Sequence, residues 1–195
     1  TGRFPHRLGR WGGAPAAVLV AGKAAVLAPP FPAEPSAVLP AEPAARAAHM
    51  ARIRSVAGDE ADRILRMALS ARMLRDEALT AAAKRRALHL ASWDPRGATG
   101  FFTQDQAGRS VAWALALAYD WLRNEWTPEE RKTLLDAIRP RVEDMLSPPV
   151  KGLPTGWAGL DWGRKLDRWP YDSHGVTAMG VLSVICTVLK DEEAL

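Results

Sequence analysis

The sequence contains a single cysteine among its 195 residues, Cys186, within the apolar stretch V-L-S-V-I-C-T-V-L. One cysteine cannot form a disulfide within the chain, and we expect Cys186 to be a small buried side chain. No apolar run is long enough for a membrane span. The longest, residues 176–189, is interrupted by serine and threonine.

Several sequence signatures of common chemistries are also absent. The chain has no G-x-G-x-x-G, no P-loop, no G-x-S-x-G and no Cys/His cluster. No two of its 4 histidines have the spacing of metal ligands. The sequence therefore predicts no metal site and no required cofactor within this chain.

The charge balance gives a further exclusion. The formal net charge is +4, and the basic residues are spread along predicted helices among acidic ones. A nucleic-acid-binding stripe is not indicated, and no membrane contact is predicted. A mild basic excess suits an acidic polysaccharide as partner.

The chain divides by composition near residue 40. Residues 1–40 hold 7 of the 15 prolines, and we expect a mostly extended arm that packs on a helical body. Within it, A-A-V-L-V-A-G-K-A-A-V-L is compatible with a short strand pair. Residues 41–195 are helical in pattern.

Capping signals predict where the helices begin. Asp59, Thr80 and Ser173 each precede a helical pattern, and Thr127-Pro128-Glu129-Glu130 has the form of a capping box. A further helix is predicted from about Gln106 to Asn124. Pro140 is expected to kink or split the helix that follows Thr127. The segment 147–172, rich in Pro, Gly and Trp, is predicted to be a long loop.

The helices differ in how much of their surface is apolar. The helix from Gln106 has one stripe of Val111, Leu115, Tyr119 and Leu122 and a second of Trp113, Leu117 and Trp121. It should be covered on most sides, as should the last helix. The helix after Thr127 is amphipathic. This alternation favours an all-α fold, part of an (α/α) toroid or barrel of helical hairpins; a solenoid is the weaker alternative because no repeat is visible. The final K-D-E-E-A-L opens another helix, so we expect a longer protein.

The predicted loop before the last helix has the composition of a sugar-binding site. Indole rings stack on sugar faces, and Arg and Lys pair with sulfate or carboxylate groups. The alternative is that the tryptophans only anchor the loop. The candidate substrate-binding residues here are Trp162, Arg164, Lys165, Arg168, Trp169 and Tyr171.

Three further residues stand at helix starts. The helix dipole disfavours protonation of His174, which keeps it available as a base; an ordinary helix-start histidine is the alternative. Gln106 and Arg109 are candidates for substrate binding if their helix opens into a cleft. Capping and an ion pair would explain them equally well. Asp120, farther along that helix, is expected to pair with a cation or a backbone group.

Three motifs together resemble a known family. They are G-R-S-V-A-W-A-L-A-L-A-Y-D-W-L, then W-T-P-E-E-R, then W-P-Y-D-S-H-G. From about residue 40 onward the chain resembles the N-terminal helical region of heparinase II/III-like polysaccharide lyases, closest to the heparinase II branch. The resemblance implies an α/α toroid followed by antiparallel β-sheet domains, which would lie outside this chain. It also implies a periplasmic or secreted enzyme.

The resemblance implies an activity as well. Such enzymes cleave glycosaminoglycans that contain uronic acid, of the heparin or chondroitin kind, by β-elimination. His174 matches the family's toroid histidine, as C5 base or as partner of the uronate carboxylate. The family's catalytic tyrosine and second histidine would lie beyond Leu195, and any structural metal would too. Thr177 stands where related enzymes can carry an acidic residue. The alternatives are a glycoside hydrolase using Asp105 and Asp172, and a non-catalytic carbohydrate-binding or scaffold fragment.

Overall fold

The computed structural model is described for residues 30–146 and 173–190, and the contacts below lie within the compact unit that begins at Phe31. This part of the chain contains helices and no strand, which confirms the all-α prediction. The strand pair suggested near residues 16–27 and the loop 147–172 lie outside the described residues. The helices are α1 (Pro43–Leu74), α2 (Glu77–Ala91), α3 (Asp105–Trp121), α4 (Pro128–Leu146) and α5 (Ser173–Leu189).

Helix α1 begins well before the predicted Asp59 start. Glu42 caps it, because its carboxylate accepts hydrogen bonds from the N–H groups of Ala44 at 3.0 Å and Ala45 at 2.6 Å. These N–H groups lower the pKa of Glu42. Pro43 then occupies the first helical position, where a missing N–H costs nothing. The prediction for Asp59 was wrong: it lies inside α1 and accepts a hydrogen bond from Ser55 Oγ at 3.3 Å.

The start of α2 was also predicted wrongly, and that of α4 correctly. Asp76, not Thr80, caps α2, with its side chain accepting from Leu79 N at 3.0 Å. At α4, Glu130 N donates to Thr127 Oγ1 at 3.2 Å and Thr127 N donates to Glu130 Oε2 at 2.8 Å. This reciprocal pair is the predicted capping box.

Pro140 does not split α4, which continues from Pro128 to Leu146. The residues on either side of the proline, Ile138 and Val142, are both buried. Their burial helps to keep the helix continuous although Pro140 provides no N–H.

Helix α3 lies at the centre of the described structure and packs against the other four helices. Its first predicted stripe, Val111, Leu115, Tyr119 and Leu122, is buried. Its second stripe, Trp113, Leu117 and Trp121, is only half-buried. The last helix, α5, departs further from expectation. Val176 is 60% exposed and Cys186 is exposed, so the predictions of a covered α5 and a buried cysteine were wrong.

The helices alternate in direction. Met50 and Arg54 on α1 contact the start of α3, and Arg123 just after α3 donates to Val188 O near the end of α5 at 3.3 Å. Helices α1, α3 and α5 therefore run in one direction, with α2 and α4 opposed to them. We call the end where α3 and α5 begin the entry end, and the end where α1, α3 and α5 finish the exit end.

Buried ion pairs and hydrogen bonds join the layers. Between α1 and α2, Arg86 NH1 donates to the two carboxylate oxygens of Glu60 at 2.7 and 2.9 Å, and Arg63 donates to the same group at 2.8 Å. On α4, Arg141 is fully buried and donates to Thr99 O at 2.7 Å. Burial lowers the pKa of Arg141 to about 10. This value is still well above neutral pH, so the guanidinium remains charged there.

Part of the predicted arm packs on α1 and α2. The residues just after Pro30 form neither helix nor strand. His89 Nε2 donates to Pro32 O and His49 Nε2 donates to Ser36 O, each at 2.8 Å. The Phe31 ring stacks on the His89 ring with 5.0 Å between centroids. These two histidines therefore have a structural role in holding the segment.

The α2–α3 connection approaches α3 so closely that it requires a glycine. A Cβ added at Gly108 would lie 2.9 Å from Phe101 Cα, whereas one at Gly58 on α1 would meet nothing within 4 Å. We expect Gly108→Ala to lower the free energy of unfolding by about 1–3 kcal/mol, because the backbone of the connection must move. Denaturant unfolding monitored by circular dichroism measures this.

Gly58→Ala is the matched control, because it makes the same change in an open helical position. It should raise the free energy of unfolding by about 0.5–1 kcal/mol through helix propensity. Equal effects of the two variants would contradict the close packing at Gly108.

Candidate functional site

The entry end holds the predicted polar residues at the start of α3. Gln104 caps the helix: its side-chain oxygen accepts from Gln106 N at 3.2 Å, and its Nε2 donates to Met50 O at 3.4 Å. Gln106 is half-buried, and its Oε1 accepts a hydrogen bond from Arg54 NH1 at 3.3 Å. Gln106 therefore offers an accessible amide beside the exposed Arg54. Nothing in the sequence indicated that these two residues are neighbours.

Arg109 has a different environment from Gln106. Its guanidinium forms an ion pair with Asp105 at 2.8 Å, and the two side chains are only 8% and 2% exposed. This geometry matches the ion-pair alternative for Arg109. It also disfavours Asp105 as a glycosidase carboxylate, because a buried, paired carboxylate is not free to meet a substrate.

His174 lies in the first turn of α5. Since α3 and α5 pack together and run in the same direction, the first turn of α5 lies at the entry end with that of α3. The structure therefore assigns the helix starts carrying His174 and Gln106 to the same end of the bundle. The remaining predicted residues, Trp162, Arg164, Lys165, Arg168, Trp169 and Tyr171, lie outside the described residues.

A half-buried face of α3 connects the two ends of the bundle. Ser110, Trp113, Leu117 and Trp121 follow Gln106 at helical spacing, and each is partly exposed. These side chains are therefore partly packed in the bundle and partly open to solvent. The stripe was predicted from the sequence, but we expected other helices to cover it.

The exit end contains a cleft of about 1220 Å³. It is lined by the end of α1, one side of α2, the end of α3, the start of α4 and the last turn of α5. Asp120, expected to be paired, lines this cleft, and its carboxylate forms no hydrogen bond or ion pair within the described part of the chain. Sequence reasoning missed the cleft because its residues come from five separate elements.

Metal binding has no visible basis in the described residues. No group of three or more His, Cys, Asp and Glu side chains there is arranged to hold a metal ion. Likewise, none of the helices described has the length and apolar character needed to cross a membrane.

Arg109 is buried and Gln106 is partly exposed, so we expect their substitutions to affect stability differently. We expect Arg109→Ala to lower the free energy of unfolding by about 3–5 kcal/mol, because the buried Asp105 carboxylate would lose its ion-pair partner at 2.8 Å. Gln106→Ala should change it by no more than about 0.5 kcal/mol, as is usual for a partly exposed side chain. Thermal and denaturant unfolding of both variants measures the difference. Similar losses in the two would show that Gln106 is also structural.

Comparison with known proteins gives no family assignment: no protein-family model matches the chain, and no curated protein matches it.

Proposed function

We propose that the protein is a polysaccharide lyase that cleaves uronic-acid-containing glycosaminoglycans by β-elimination, with this chain as the first part of an α/α toroid. One observation carries the proposal. Helices α3 and α5 start at the same end, so the accessible Gln106 and the helix turn of His174 share one end of the bundle. This arrangement is needed if the W-P-Y-D-S-H-G and G-R-S-V-A-W motifs contribute to a single site.

The helix directions support the toroid. A toroid of helical hairpins has inner helices that all run one way and outer helices that run the other way. Here α1, α3 and α5 share one direction and α2 and α4 have the opposite one. Helix α3 is largely buried, whereas α4 exposes Lys132 and Asp136. These are the expected differences between an inner and an outer helix.

The proposed reaction removes a weakly acidic proton. The C5 proton of a uronate becomes removable when hydrogen bonds neutralise the neighbouring carboxylate. A base takes that proton, the bond from C4 to its oxygen breaks, and an acid protonates the departing oxygen. The product carries a double bond between C4 and C5. His174 acts as the base or as a partner of the carboxylate.

The other residues at the entry end bind the substrate in this proposal. The Gln106 amide donates to the uronate carboxylate, and the neighbouring Arg54 adds positive charge. Arg109 acts indirectly by fixing the first turn of α3 through Asp105. The aromatic and basic residues of the 157–174 segment would supply stacking and pairing with sulfate groups.

The activity test uses the longest natural form of the protein with heparan sulfate, chondroitin sulfate and hyaluronan as separate substrates. We expect an ultraviolet-absorbing 4,5-unsaturated product from at least one. His174→Ala should lower the turnover number by about 10²–10⁴-fold, the usual contribution of a general base. Product absorbance and mass spectrometry measure it.

His49→Gln is the control histidine variant, because the described contact of the His49 ring is with Ser36 O of the arm. Its turnover should stay within about twofold of the parent, because glutamine keeps a donor for Ser36 O and no group assigned to the substrate is removed. Cleavage by hydrolysis, without a double bond, would overturn the lyase assignment. Unchanged turnover in His174→Ala would overturn the role of His174.

A further inference from the structure

The cleft at the exit end is large enough for an extended ligand. Its volume of about 1220 Å³ exceeds the range of roughly 300–1,000 Å³ typical of small-molecule pockets. It therefore has room for an extended ligand such as a short chain of sugar rings. It lies at the opposite end of α3 from Gln106, so it is separate from the proposed catalytic end.

Some of the cations in the cleft have structural partners. Helices α1, α3 and α5 end here, and their final carbonyl groups carry partial negative charge. Arg123 donates to Val188 O at 3.3 Å, and Lys84 donates to Glu125 O and forms an ion pair with Glu130 at 2.7 Å. These two cations stabilise helix ends, so they alone do not indicate a ligand.

Three arginines in the cleft have no such partner. Arg72 and Arg75 at the end of α1, and Arg85 on α2, are exposed and form no ion pair within the described part of the chain. They come from the two helices of the α1–α2 hairpin and line the same cleft. Arginines in this arrangement offer several donors to a carboxylate or sulfate group.

Arg123 also carries a buried donor group. Arg123 lines the cleft, and its Nε is buried with no acceptor among the described residues. A buried N–H group without an acceptor is unfavourable in the free protein. Because this nitrogen is shielded from the cleft, the ligand would be bound by the exposed arginines and the Trp121 ring instead.

The remaining lining residues select among anionic ligands. Trp121 is half-buried at the end of α3 and offers a ring for stacking, while Asp120 and Asn124 can bind hydroxyl groups. Asp120 and Glu125 would repel the closely spaced phosphates of a nucleic acid. A sugar chain places hydroxyl groups between its acidic groups, so it can meet both the cations and the carboxylates.

We propose that the exit-end cleft is a second binding site that holds an acidic saccharide chain away from the catalytic end. The choice of a saccharide rests on the proposed function, whereas the exposed arginines and the Trp121 ring rest on geometry alone. Arg72 and Arg85 bind its acidic groups, and Trp121 stacks on one of its rings.

The test measures binding of a heparin hexasaccharide to the 195-residue chain by isothermal titration calorimetry. His174→Ala is present throughout so that the ligand stays intact. We expect the double variant Arg72→Glu and Arg85→Glu to raise the dissociation constant about tenfold or more, because charged hydrogen bonds are lost. The matched control is Arg52→Glu with Arg66→Glu, which makes the same charge change at exposed positions of α1 outside the cleft. It should change the constant less than about twofold.

A tryptophan pair tests the stacking step. Trp121 lines the cleft, whereas Trp113 is half-buried on the same helix and does not. Trp121→Leu should weaken hexasaccharide binding by about threefold to tenfold, and Trp113→Leu should leave it unchanged. Circular dichroism confirms that each variant is folded before binding is compared.

Three comparison ligands separate the possible sources of anion binding. Inorganic sulfate, maltohexaose and a six-nucleotide thymidine strand should each bind at least about tenfold more weakly than the hexasaccharide. If sulfate bound as tightly as the hexasaccharide, the cleft would be a general anion site and not a saccharide site. If the thymidine strand bound as tightly, the assignment of a saccharide ligand would be wrong. An unchanged constant in the Arg72 and Arg85 variant would overturn the proposal. Retained cleft binding without any unsaturated product from the parent would contradict the proposed lyase but not the cleft.

Discussion

The need to cover α3 is the constraint on which the described structure depends. From Ala107 to Leu122 its surface is apolar on most sides, and a helix of this kind is stable in water only when other elements remove that surface from solvent. The four other helices do so. Gly108 lets the α2–α3 connection approach the first turn, and Trp126 closes the last one by donating from Nε1 to Tyr119 O at 3.1 Å.

The shared direction of α1, α3 and α5 gives the two ends of the bundle different chemistry. The entry end receives the first turns of α3 and α5, with their outward N–H groups, and the exit end receives the last carbonyl groups of three helices. Cations collect near such carbonyls. The basic character of the exit-end cleft therefore follows partly from helix direction, and only the arginines beyond those needed for carbonyls are available to a ligand.

Some local signals were predicted from the sequence, whereas long-range contacts were not. The Thr127 capping box and the start of α5 at Ser173 depend on neighbouring residues, and both were found. Asp59 carries a capping side chain too, but the helix starts earlier, where Glu42 caps it and Pro43 takes the first position, and the alanine-rich stretch continues through Asp59. The Glu60–Arg86 pair joins residues 26 apart in the chain and has no periodic signature. The cleft is harder still, because its cations become neighbours only after the helices pack.

The half-buried face of α3 relates the two ends physically. A helix of 17 residues is about 25 Å long, so the Gln106 amide and the Trp121 ring are separated by the length of an extended oligosaccharide rather than of a single sugar. Between them Trp113 and Leu117 keep an apolar surface partly open to solvent. In the proposed lyase a long polymer can engage both ends at once, and the second contact acts as an intramolecular one with a high effective concentration. A short substrate reaches only one end, so polymer length rather than sugar identity would decide how much the exit-end cleft adds to binding.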